Sequence, residues 1–345
     1  MKKKFYLITL MLLLALSVVA CGDKKEKNDG EIKTANTDSV VIKIGHVEPE
    51  NRSTHRALVD FKDSVEEKSK GAITVEIYPN GALGGDVQLT ESVAMGTLDA
   101  ALPSTSVLTT YSNEFGVLDM PYLFTSSQSA FDALDGEIGD YFNKKLEENG
   151  IINLGYSYNG PRSTTSNVKT IEKPEDLKGL KMRVMESPIF IDYYKTLGAN
   201  PTPMSFTELY TGLQQGTVEA QENPPSLTFA NKFYEVQKYS SIDEHVHNFL
   251  AFIMNKAKYD SLTPEQQQIL MNAAKEYVSN QRKMELEDNE KAIKDLEQEG
   301  KLVTNILSTE QKQKFKEALT PMYEKYKSEF GEELFKMSEK YNETK

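Results

Sequence analysis

Apolar and polar residues alternate between strand-like and helix-like periods from Val40 onward. Apolar β-branched runs and strict two-residue alternation predict strands, and apolar positions three and four residues apart predict amphipathic helices. The predicted elements of this first unit are a strand at 40–47, a helix at 52–70, a strand at 73–78, a helix at 86–95 and a strand at 98–102. This order indicates an α/β fold with a parallel sheet flanked by helices.

A second strand–helix unit begins near Tyr158. Gly160 and Pro161 predict a turn between two extended segments, and the capping-box pattern of Ser205 and Glu208 predicts a helix start. The elements expected here are extended segments at 151–158 and 163–167, a strand at 180–185, and helices at 188–197 and 205–216. The chain is therefore expected to contain a second strand–helix–strand lobe.

One helix is predicted to be far longer than the others. Thr263, Pro264 and Gln266 form a helix start, and no strong helix breaker follows until Gly300. At 1.5 Å per residue this segment would extend roughly 54 Å, against about 30 Å for a small domain. The helix therefore kinks or lies across both lobes. A further capping box at 308–311 begins a tail helix.

Residues 1–39 differ from the rest of the chain. Three lysines precede an apolar run at 5–20, which is shorter than the roughly 20 residues of a membrane-spanning helix and indicates a signal peptide at 1–20. The only cysteine, Cys21, stands at the cleavage junction, as in the lipobox that it resembles; the alternative is a plain signal peptide. We expect Cys21 to be lipidated and the polar segment 21–39 to be a membrane tether.

Composition narrows the class of protein. Charged residues make up 27% and apolar residues 39% of the 345 residues, and the mean hydropathy is −0.51, which excludes a polytopic membrane protein. The formal charge of −12 argues against general nucleic-acid binding, because such binding needs a basic face. We therefore expect an exported binding or catalytic protein with no nucleic-acid partner.

Known catalytic patterns are missing from the sequence. It contains no HExxH, CxxC, Walker A or GxGxxG segment, and its four histidines form no evident nucleophile–base pair. His245 and His247 would share one face of a strand, but no acidic or cysteine cluster completes a metal site, so a polar strand face is the simpler interpretation. We therefore expect no metal, no cofactor and no enzymatic activity.

Arginine is scarce, with five residues among 40 cationic side chains. Its planar guanidinium binds carboxylates through two parallel hydrogen bonds, so each arginine is a candidate anion ligand. Arg183 lies inside the strand predicted for the second lobe, and Arg162 follows the predicted turn. Either could instead form an internal salt bridge. Arg52, Arg56 and Arg282 fall in charged helical stretches and are expected to be solvated.

Four long segments carry a resemblance to a known family. Their sequences are NGPRSTTSN (159–167), DLKGLKMRV (176–184), LGANPTPMSFTELYTGLQQGTVEAQENP (197–224) and KFYEVQKY (232–239). Together they resemble the substrate-binding proteins of tripartite ATP-independent periplasmic (TRAP) transporters. The resemblance implies a two-lobed α/β fold of the periplasmic-binding-protein type, with a cleft between the lobes and a long helix spanning both. It also implies hinge closure on a ligand and delivery to integral membrane transporter subunits.

The resemblance also implies a set of ligand-binding residues. Arg183 would form the main salt bridge to a substrate carboxylate, and Arg162 would be a second cation facing the substrate. Asn223 would exchange hydrogen bonds with the ligand, and Phe206 would pack against it. Three further positions are expected to contribute to the same site, namely Glu186, His46 and Ser104.

The two-lobed fold that the resemblance implies divides the chain between the lobes. We expect the first lobe to comprise residues 40–160 plus about 249–288, the second lobe 161–248 plus about 289–330, and a C-terminal helical tail 331–345. The protein is expected to be a monomer. Its lipid anchor would hold it in the periplasm or at the outer face of the cell membrane.

Three positions narrow the ligand. The sialic-acid branch of the family is the most similar over 159–239, but it carries an Asn, a Glu and an Asn where this chain has Val47, Ser104 and Glu186. Each lost hydrogen bond costs about 0.5–1.5 kcal/mol, which disfavours sialic acid. Glu186 would repel a second carboxylate and could accept hydrogen bonds from sugar hydroxyls. We expect a hexuronate or an aldonate, with a C4-dicarboxylate as the alternative because two arginines are available.

Three other classes of protein share some of these features. A secreted enzyme would need a nucleophile–base pair or a metal. A binding lipoprotein could serve an ATP-driven transporter or a sensor kinase, and neighbouring genes for a small and a large integral membrane subunit would instead indicate a TRAP system. A structural or adhesive surface protein would not need a hinged cleft.

Overall fold

A computed structural model of the chain describes residues 39–298 and 300–343. The predicted signal peptide, Cys21 and the tether up to residue 38 lie outside the described residues. The helices are α1 (Ser53–Lys68), α2 (Asp86–Met95), α3 (Ser127–Leu134), α4 (Glu137–Glu148), α5 (Pro188–Thr196), α6 (Phe206–Gln214), α7 (Pro225–Ala230), α8 (Lys256–Asp260), α9 (Pro264–Gln298), α10 (Thr309–Ala318), α11 (Thr320–Phe330) and α12 (Glu332–Glu339). The strands are β1 (Val40–Gly45), β2 (Ile73–Tyr78), β3 (Ala100–Ala101), β4 (Ile151–Ser166), β5 (Lys181–Val184), β6 (Asn200–Pro203), β7 (Ala220–Asn223), β8 (Tyr239–Asn255) and β9 (Val303–Ile306).

The nine strands of this described part form one mixed sheet in the order β2-β1-β3-β8-β4-β7-β5-β6, with β9 beside β8. The strands β2, β1 and β3 pair in parallel at one end, and β7, β5 and β6 pair in parallel at the other. We call the parts built around these ends the first lobe and the second lobe. Between them, β4 and β8 pair antiparallel. The sheet is therefore parallel within each lobe, and antiparallel where the two long strands join the lobes.

The strand β4 continues through the position where the sequence predicts a turn. Gly160 and Pro161 stay in the strand and pair with Asn248 and His247 of β8, after a register shift just before Gly160. Gly160 has a φ of +119°, and a Cβ on it would lie 2.7 Å from the Cβ of Pro224, so this close approach requires glycine. The predicted turn was wrong because pairing with β8 on both sides outweighs the local turn preference.

Two of the three predicted capping boxes form. Reciprocal hydrogen bonds occur at the starts of α9 and α10, between Thr263 and Gln266 and between Ser308 and Gln311. The third prediction, at the start of α6, was wrong. The Ser205 side chain makes no capping hydrogen bond, because its hydroxyl pairs with the Thr207 hydroxyl at 3.1 Å instead.

The helix α9 is 35 residues long and packs against α1, β4 and α7, so it contacts both lobes as predicted. Its buried face is apolar near the start, with residues such as Leu270 and Tyr277. Further along, the same face buries polar side chains, namely Gln281, Arg282, Glu285 and Asn289. Within residues 39–298 and 300–343, the structure contains no helix long and apolar enough to cross a membrane.

Two large apolar cores and a smaller cluster that includes Leu209 and Phe233 support the sheet. The first-lobe core lies between the strands and the helices α1 and α9, and includes Ile44, Phe61 and Tyr277. A larger core extends from Leu89 and Val93 of α2 through the second lobe to the C-terminal helices, where α12 buries Leu334 and Phe335. The C-terminal helix is therefore packed into the body of the protein. The residue bounds assigned to the two lobes stay a prediction.

Candidate functional site

A small cavity of about 30 Å³ lies between the two lobes. Its walls come from segments that follow the carboxyl ends of β1, β3, β5 and β7, from β4, and from the first residues of three helices. Ligands of open α/β sheets bind at such carboxyl ends, because the loops there converge on one crevice. The lining residues are Val47, Glu48, Asp86, Ser104, Asn159, Arg162, Arg183, Met185, Phe206, Asn223 and Leu227.

Arg183 of β5 is buried in the wall that the second lobe supplies. Its Nε and Nη2 donate hydrogen bonds to the carbonyl oxygen of Met204, at 3.0 and 2.8 Å. No carboxylate of the described residues lies within ion-pair distance of it. Burial lowers the pKa of Arg183 to about 10, so the guanidinium remains charged at neutral pH. The cavity therefore holds a cation whose charge is not neutralised by a direct partner.

Arg162 of β4 lies in the same cavity but is fully engaged by the protein. Its Nε and Nη2 donate to the two carboxylate oxygens of Glu222, and Nη2 also donates to the backbone oxygen of Glu222 at 2.6 Å. The Asn223 side-chain oxygen accepts from Nη2 at 2.9 Å. The internal salt bridge that the sequence left open is thus present, while Arg162 still lines the cavity.

The Glu222 carboxylate is shared with a buried histidine. His245 Nε2 lies 3.5 Å from Glu222 Oε2, and its Nδ1 lies 3.0 Å from Asp243 Oδ1. Burial by itself would lower the pKa of His245, but Asp243 and Glu222 raise it to about 9. Burial would likewise raise the pKa of Glu222, but Arg162 and His245 hold it below its ordinary value. Opposite charges thus alternate from Arg162 to Asp243.

Two carboxylates of the first lobe face these arginines across the cavity. Asp86 is the first residue of α2, and its Oδ1 accepts a hydrogen bond from the Ser104 backbone nitrogen at 3.2 Å. Burial raises the pKa of Asp86 to about 6. The carboxylate of Glu48 accepts from Arg52 Nε at 3.2 Å. The first-lobe wall therefore presents hydrogen-bond acceptors, whereas the second-lobe wall presents a cation.

The two lobes are in contact beside the cavity. A Cβ built on Gly81 would lie 2.6 Å from Thr207 Cγ2, and one on Gly85 would lie 2.4 Å from Ser205 Oγ. The loop before α2 in the first lobe therefore contacts the start of α6 in the second. A cavity of about 30 Å³ has room for one or two water molecules, because one water needs roughly 10–15 Å³. The two lobes are therefore close together in this structure, and the space between them is small.

Five of the seven predicted ligand-binding positions line this cavity, namely Arg183, Arg162, Asn223, Phe206 and Ser104. The other two do not. His46 is buried against His55, with 3.1 Å between Nε2 and Nδ1, and burial lowers its pKa to about 4. Glu186 is half-buried, one residue beyond the lining residue Met185.

Sequence reasoning missed several lining residues, of which Glu48, Asp86 and Asn159 are polar. One of them lies inside a segment that the sequence marks, because Asn159 opens NGPRSTTSN. Asp86 follows a glycine turn, and Glu48 follows the end of a strand. Loops at such places converge on the crevice. Their position in the sequence could have marked them as candidate ligand-binding residues. Their contact with the cavity, however, depends on how the loops fold.

Two of the three arginines expected to be solvated are buried. Arg52 is 1% exposed, and Arg282 binds the Asp135 carboxylate through both terminal nitrogens at 2.7 and 2.9 Å. Only Arg56 is exposed, at 43% of its side chain. The prediction was wrong for the other two because their partners come from distant parts of the sequence, which a local charge pattern does not reveal.

The two histidines of β8 have different surroundings. His245 is fully buried in the charge network, and His247 Nδ1 lies 2.6 Å from the Tyr158 hydroxyl. The polar strand face that the sequence predicts is therefore buried at His245. Within the described part of the chain, no group of three histidine, cysteine or carboxylate side chains is placed to hold a metal ion.

An α/β fold of two lobes with an arginine-lined cavity between them defines a solute-binding protein, and comparisons with known proteins agree. A profile described as bacterial extracellular solute-binding protein, family 7, matches residues 44–329. The 2,3-diketo-L-gulonate-binding periplasmic protein of Escherichia coli is 36% identical over 266 residues, 77% of this chain and 81% of that protein. The C4-dicarboxylate-binding protein of Bacillus subtilis is 34% identical over 299 residues, 87% and 85% of the two chains.

A solved structure gives the same answer. The sugar acid binding protein of Advenella mimigardefordensis, in complex with galactonate, has a TM-score of 0.85 and 35% identity, covering 88% of this chain and 99% of that one. The chain belongs to bacterial extracellular solute-binding protein family 7, whose structural relatives are TRAP periplasmic solute-binding proteins. The predicted family and the predicted two-lobed fold are confirmed.

Proposed function

We propose that this protein binds a hydroxylated monocarboxylate, such as a hexuronate or an aldonate, and delivers it to the integral membrane subunits of a TRAP transporter. The state of Arg183 carries the proposal. Its guanidinium is buried at the cavity without an ion-pair partner among residues 39–298 and 300–343. A buried, unpaired cation is costly, and an anionic ligand removes that cost.

The other wall argues for hydroxyl groups on the ligand. Asp86 and Glu48 are acceptors at the cavity, and a carboxylate on that side of a ligand would be repelled by both. Sugar hydroxyls would instead donate hydrogen bonds to them. The Escherichia coli relative is named for a sugar-derived acid, and the Advenella structure contains galactonate. These relatives support the same ligand class for this chain.

A C4-dicarboxylate is the second candidate ligand. It is favoured by the presence of two arginines in one cavity and by the name of the Bacillus subtilis relative. Against it, the Arg162 guanidinium already binds both carboxylate oxygens of Glu222. Neutralisation of a second ligand carboxylate would require Arg162 to leave that pairing or to share it.

We assign the ligand contacts as follows. Arg183 would bind the carboxylate, with Arg162 and Asn223 as further donors, Phe206 as an apolar surface and Ser104 as a hydroxyl contact. Two predicted residues do not line the cavity: Glu186 would act through its charge on Arg183, and His46 would act only indirectly. Arg183 Nη1 has no hydrogen-bond partner within the described residues, which supports its role as the anchor.

Calorimetry with D-galactonate, D-glucuronate, D-galacturonate, succinate and N-acetylneuraminate tests the ligand class. We expect one of the three hydroxylated monocarboxylates to bind tightest. Tight binding of succinate with no sugar acid bound would replace the proposal by the dicarboxylate alternative. Tight binding of N-acetylneuraminate would overturn the exclusion of sialic acid.

The acidic wall has its own test. Asp86→Asn keeps the shape of the side chain and removes its charge, so it should weaken sugar-acid binding about tenfold and reduce the discrimination against succinate. Asp60→Asn, at an exposed position of α1, is the matched control and should change neither affinity. Equal affinities of wild type and Asp86→Asn for both ligands would exclude Asp86 as a specificity residue.

We further propose that the protein is a receptor without enzymatic activity, monomeric, and held outside the cytoplasm by a lipid on Cys21. Its family and the position of the single cysteine support this assignment. Mass spectrometry of the N-terminal peptide from detergent-extracted protein should detect diacylglycerol on Cys21. Cys21→Ser should release the protein into the soluble fraction or leave it as an uncleaved precursor. The alternative is that the protein delivers its ligand to an ATP-driven transporter or a sensor kinase instead of a TRAP transporter.

A further inference from the structure

A buried polar cluster joins the two lobes next to the cavity. Its members are Arg52 and Ser53 at the start of α1, Ser226 in α7 and Glu285 in the middle of α9; we call it the Glu285 cluster. All four side chains are buried. Arg52 and Ser53 belong to the first lobe, and Ser226 belongs to the second. None of the four lines the ligand cavity, so their role is not direct ligand contact.

The Ser226 hydroxyl occupies the centre of this cluster. It accepts a hydrogen bond from Arg52 Nη1 at 2.6 Å and donates one to Glu285 Oε1 at 2.5 Å. Arg52 Nη1 also lies 3.0 Å from Glu285 Oε1. The second carboxylate oxygen of Glu285 accepts from the Ser53 hydroxyl at 2.5 Å. The same carboxylate thus receives one hydroxyl from each lobe.

Arg52 connects this cluster to the cavity wall. Its Nε donates to Glu48 Oε2 at 3.2 Å, and its Nη2 donates to the Asn159 side-chain oxygen at 3.2 Å and the Asn159 backbone oxygen at 3.0 Å. Both Glu48 and Asn159 line the cavity, as does Leu227, the residue after Ser226. One guanidinium therefore contacts α7 and two residues of the cavity wall at the same time.

We propose that Ser226 is a positioning residue for ligand capture: it docks α7 of the second lobe onto the Arg52–Glu285 pair and holds the lobes closed around the ligand. The inference rests on the proposed function in one respect, because its affinity test needs a ligand that binds between the lobes. On opening, α7 would move with the second lobe away from Arg52 and Glu285, and water would replace the Ser226 hydroxyl. The contact then stabilises only the closed form, so it raises affinity in proportion to the closed population.

Ser53 provides a matched control. Ser53 and Ser226 are buried serines that donate to the same Glu285 carboxylate at the same distance. The Ser53 contact joins α1 to α9. The predicted lobe bounds place Glu285 in the first lobe together with Ser53. If the two move together, their contact is present in the open and the closed form. Loss of the Ser53 hydroxyl should therefore affect stability in the open and closed forms alike.

Ser226→Ala and Ser53→Ala should be compared with wild type by calorimetry, stopped-flow dissociation and urea unfolding, with D-galactonate as the probe. We expect Ser226→Ala to weaken binding about tenfold, chiefly through faster dissociation, with little change in the urea midpoint of the unliganded protein. Ser53→Ala should lower that midpoint and leave the Kd within about twofold of wild type.

Two outcomes would overturn the inference. One is wild-type affinity in Ser226→Ala; the other is an equal loss of affinity in both variants, which would give the Glu285 cluster a general structural role. A wild type that binds succinate and not D-galactonate would instead overturn the proposed ligand class. The same comparison of the two serine variants, made with succinate, then decides the role of Ser226.

Discussion

Arg162 and Arg183 line one cavity but are held by the protein in different ways. Arg162 binds the Glu222 carboxylate with two of its nitrogens and continues into the buried His245 and Asp243. Arg183 has only the backbone oxygen of Met204 as a hydrogen-bond partner within the described residues. One cation is therefore neutralised by the fold, and the other leaves its charge for a ligand.

This difference assigns Arg162 mainly to the stability of the fold and Arg183 mainly to ligand binding. A buried salt bridge is costly to break because removal of one partner leaves the other as an uncompensated buried charge. A buried cation without a partner has the opposite effect, since its desolvation is not offset until an anion binds. The two arginines should therefore respond to the same substitution in opposite ways, and four measurements would break or sharpen the contrast.

Arg183→Ala should have the largest effect on binding. Loss of a buried charge partner for a carboxylate costs about 2–5 kcal/mol, so the Kd should rise by roughly 30- to 5,000-fold. The urea midpoint of the unliganded protein should stay the same or increase, because an unpaired buried cation is removed. Calorimetry and urea unfolding measure the two quantities. Arg56→Ala, at an exposed arginine, is the control, and wild-type affinity in Arg183→Ala would remove Arg183 from the site.

Arg162→Ala should destabilise the unliganded protein. It leaves Glu222 buried with His245 as its remaining charged partner, and breaking a buried pair costs about 3–5 kcal/mol. The free energy of unfolding from urea titration should fall by that amount. An equal or smaller loss than in Arg183→Ala would show that the two arginines are not held differently, and the contrast drawn above would fail.

Arg183→Lys should weaken binding less than Arg183→Ala but still strongly. Lysine keeps the positive charge and loses the planar fork that binds a carboxylate with two parallel hydrogen bonds. We expect the Kd to rise about 10- to 100-fold, which corresponds to about 1.4–2.8 kcal/mol. An affinity equal to that of wild type would mean that charge alone, without bidentate geometry, anchors the ligand.

The pH dependence of stability should report on the buried charge network of Arg162, Glu222, His245 and Asp243. Asp243 and Glu222 outweigh burial and raise the pKa of His245 to about 9, against about 6.5 in an unfolded chain. Because the folded pKa is the higher one, this stabilisation is complete below about pH 6.5 and is lost as the pH rises through 9. The free energy of unfolding should therefore fall between about pH 6.5 and pH 9. His245→Gln should flatten the fall; an equal slope in both proteins would assign it to other groups.

Much of the local structure was predictable from the sequence. The bounds predicted for β2 and α2 coincide with those observed, and the helix that begins at Pro264 has the predicted length to within one residue. These features depend on residue periods, helix starts and glycine stops, which act over a few positions. One exception was the turn expected at Gly160, where pairing with β8 imposed a continuous strand.

The candidate site was predictable only in part. Arg183 and Asn223 were identified from long segments similar to a family, and both line the cavity. Arg52 and Arg282 were expected to be solvated because their neighbours in the sequence are charged. Their partners Glu285 and Asp135 are more than a hundred residues away along the chain, so no local pattern indicates them.

The sequence by itself determined the alternation of strands and helices, the length of α9, the scarcity of arginine and the family. Those properties are set by short-range periodicity and by the identity of residues in contiguous segments. The tertiary structure alone decided which arginine is neutralised and which is not, because a side chain's charge partner is chosen by the loops and strands that converge on it. Glu222 reaches Arg162 across the β4–β7 pair, and no carboxylate of the described chain reaches Arg183.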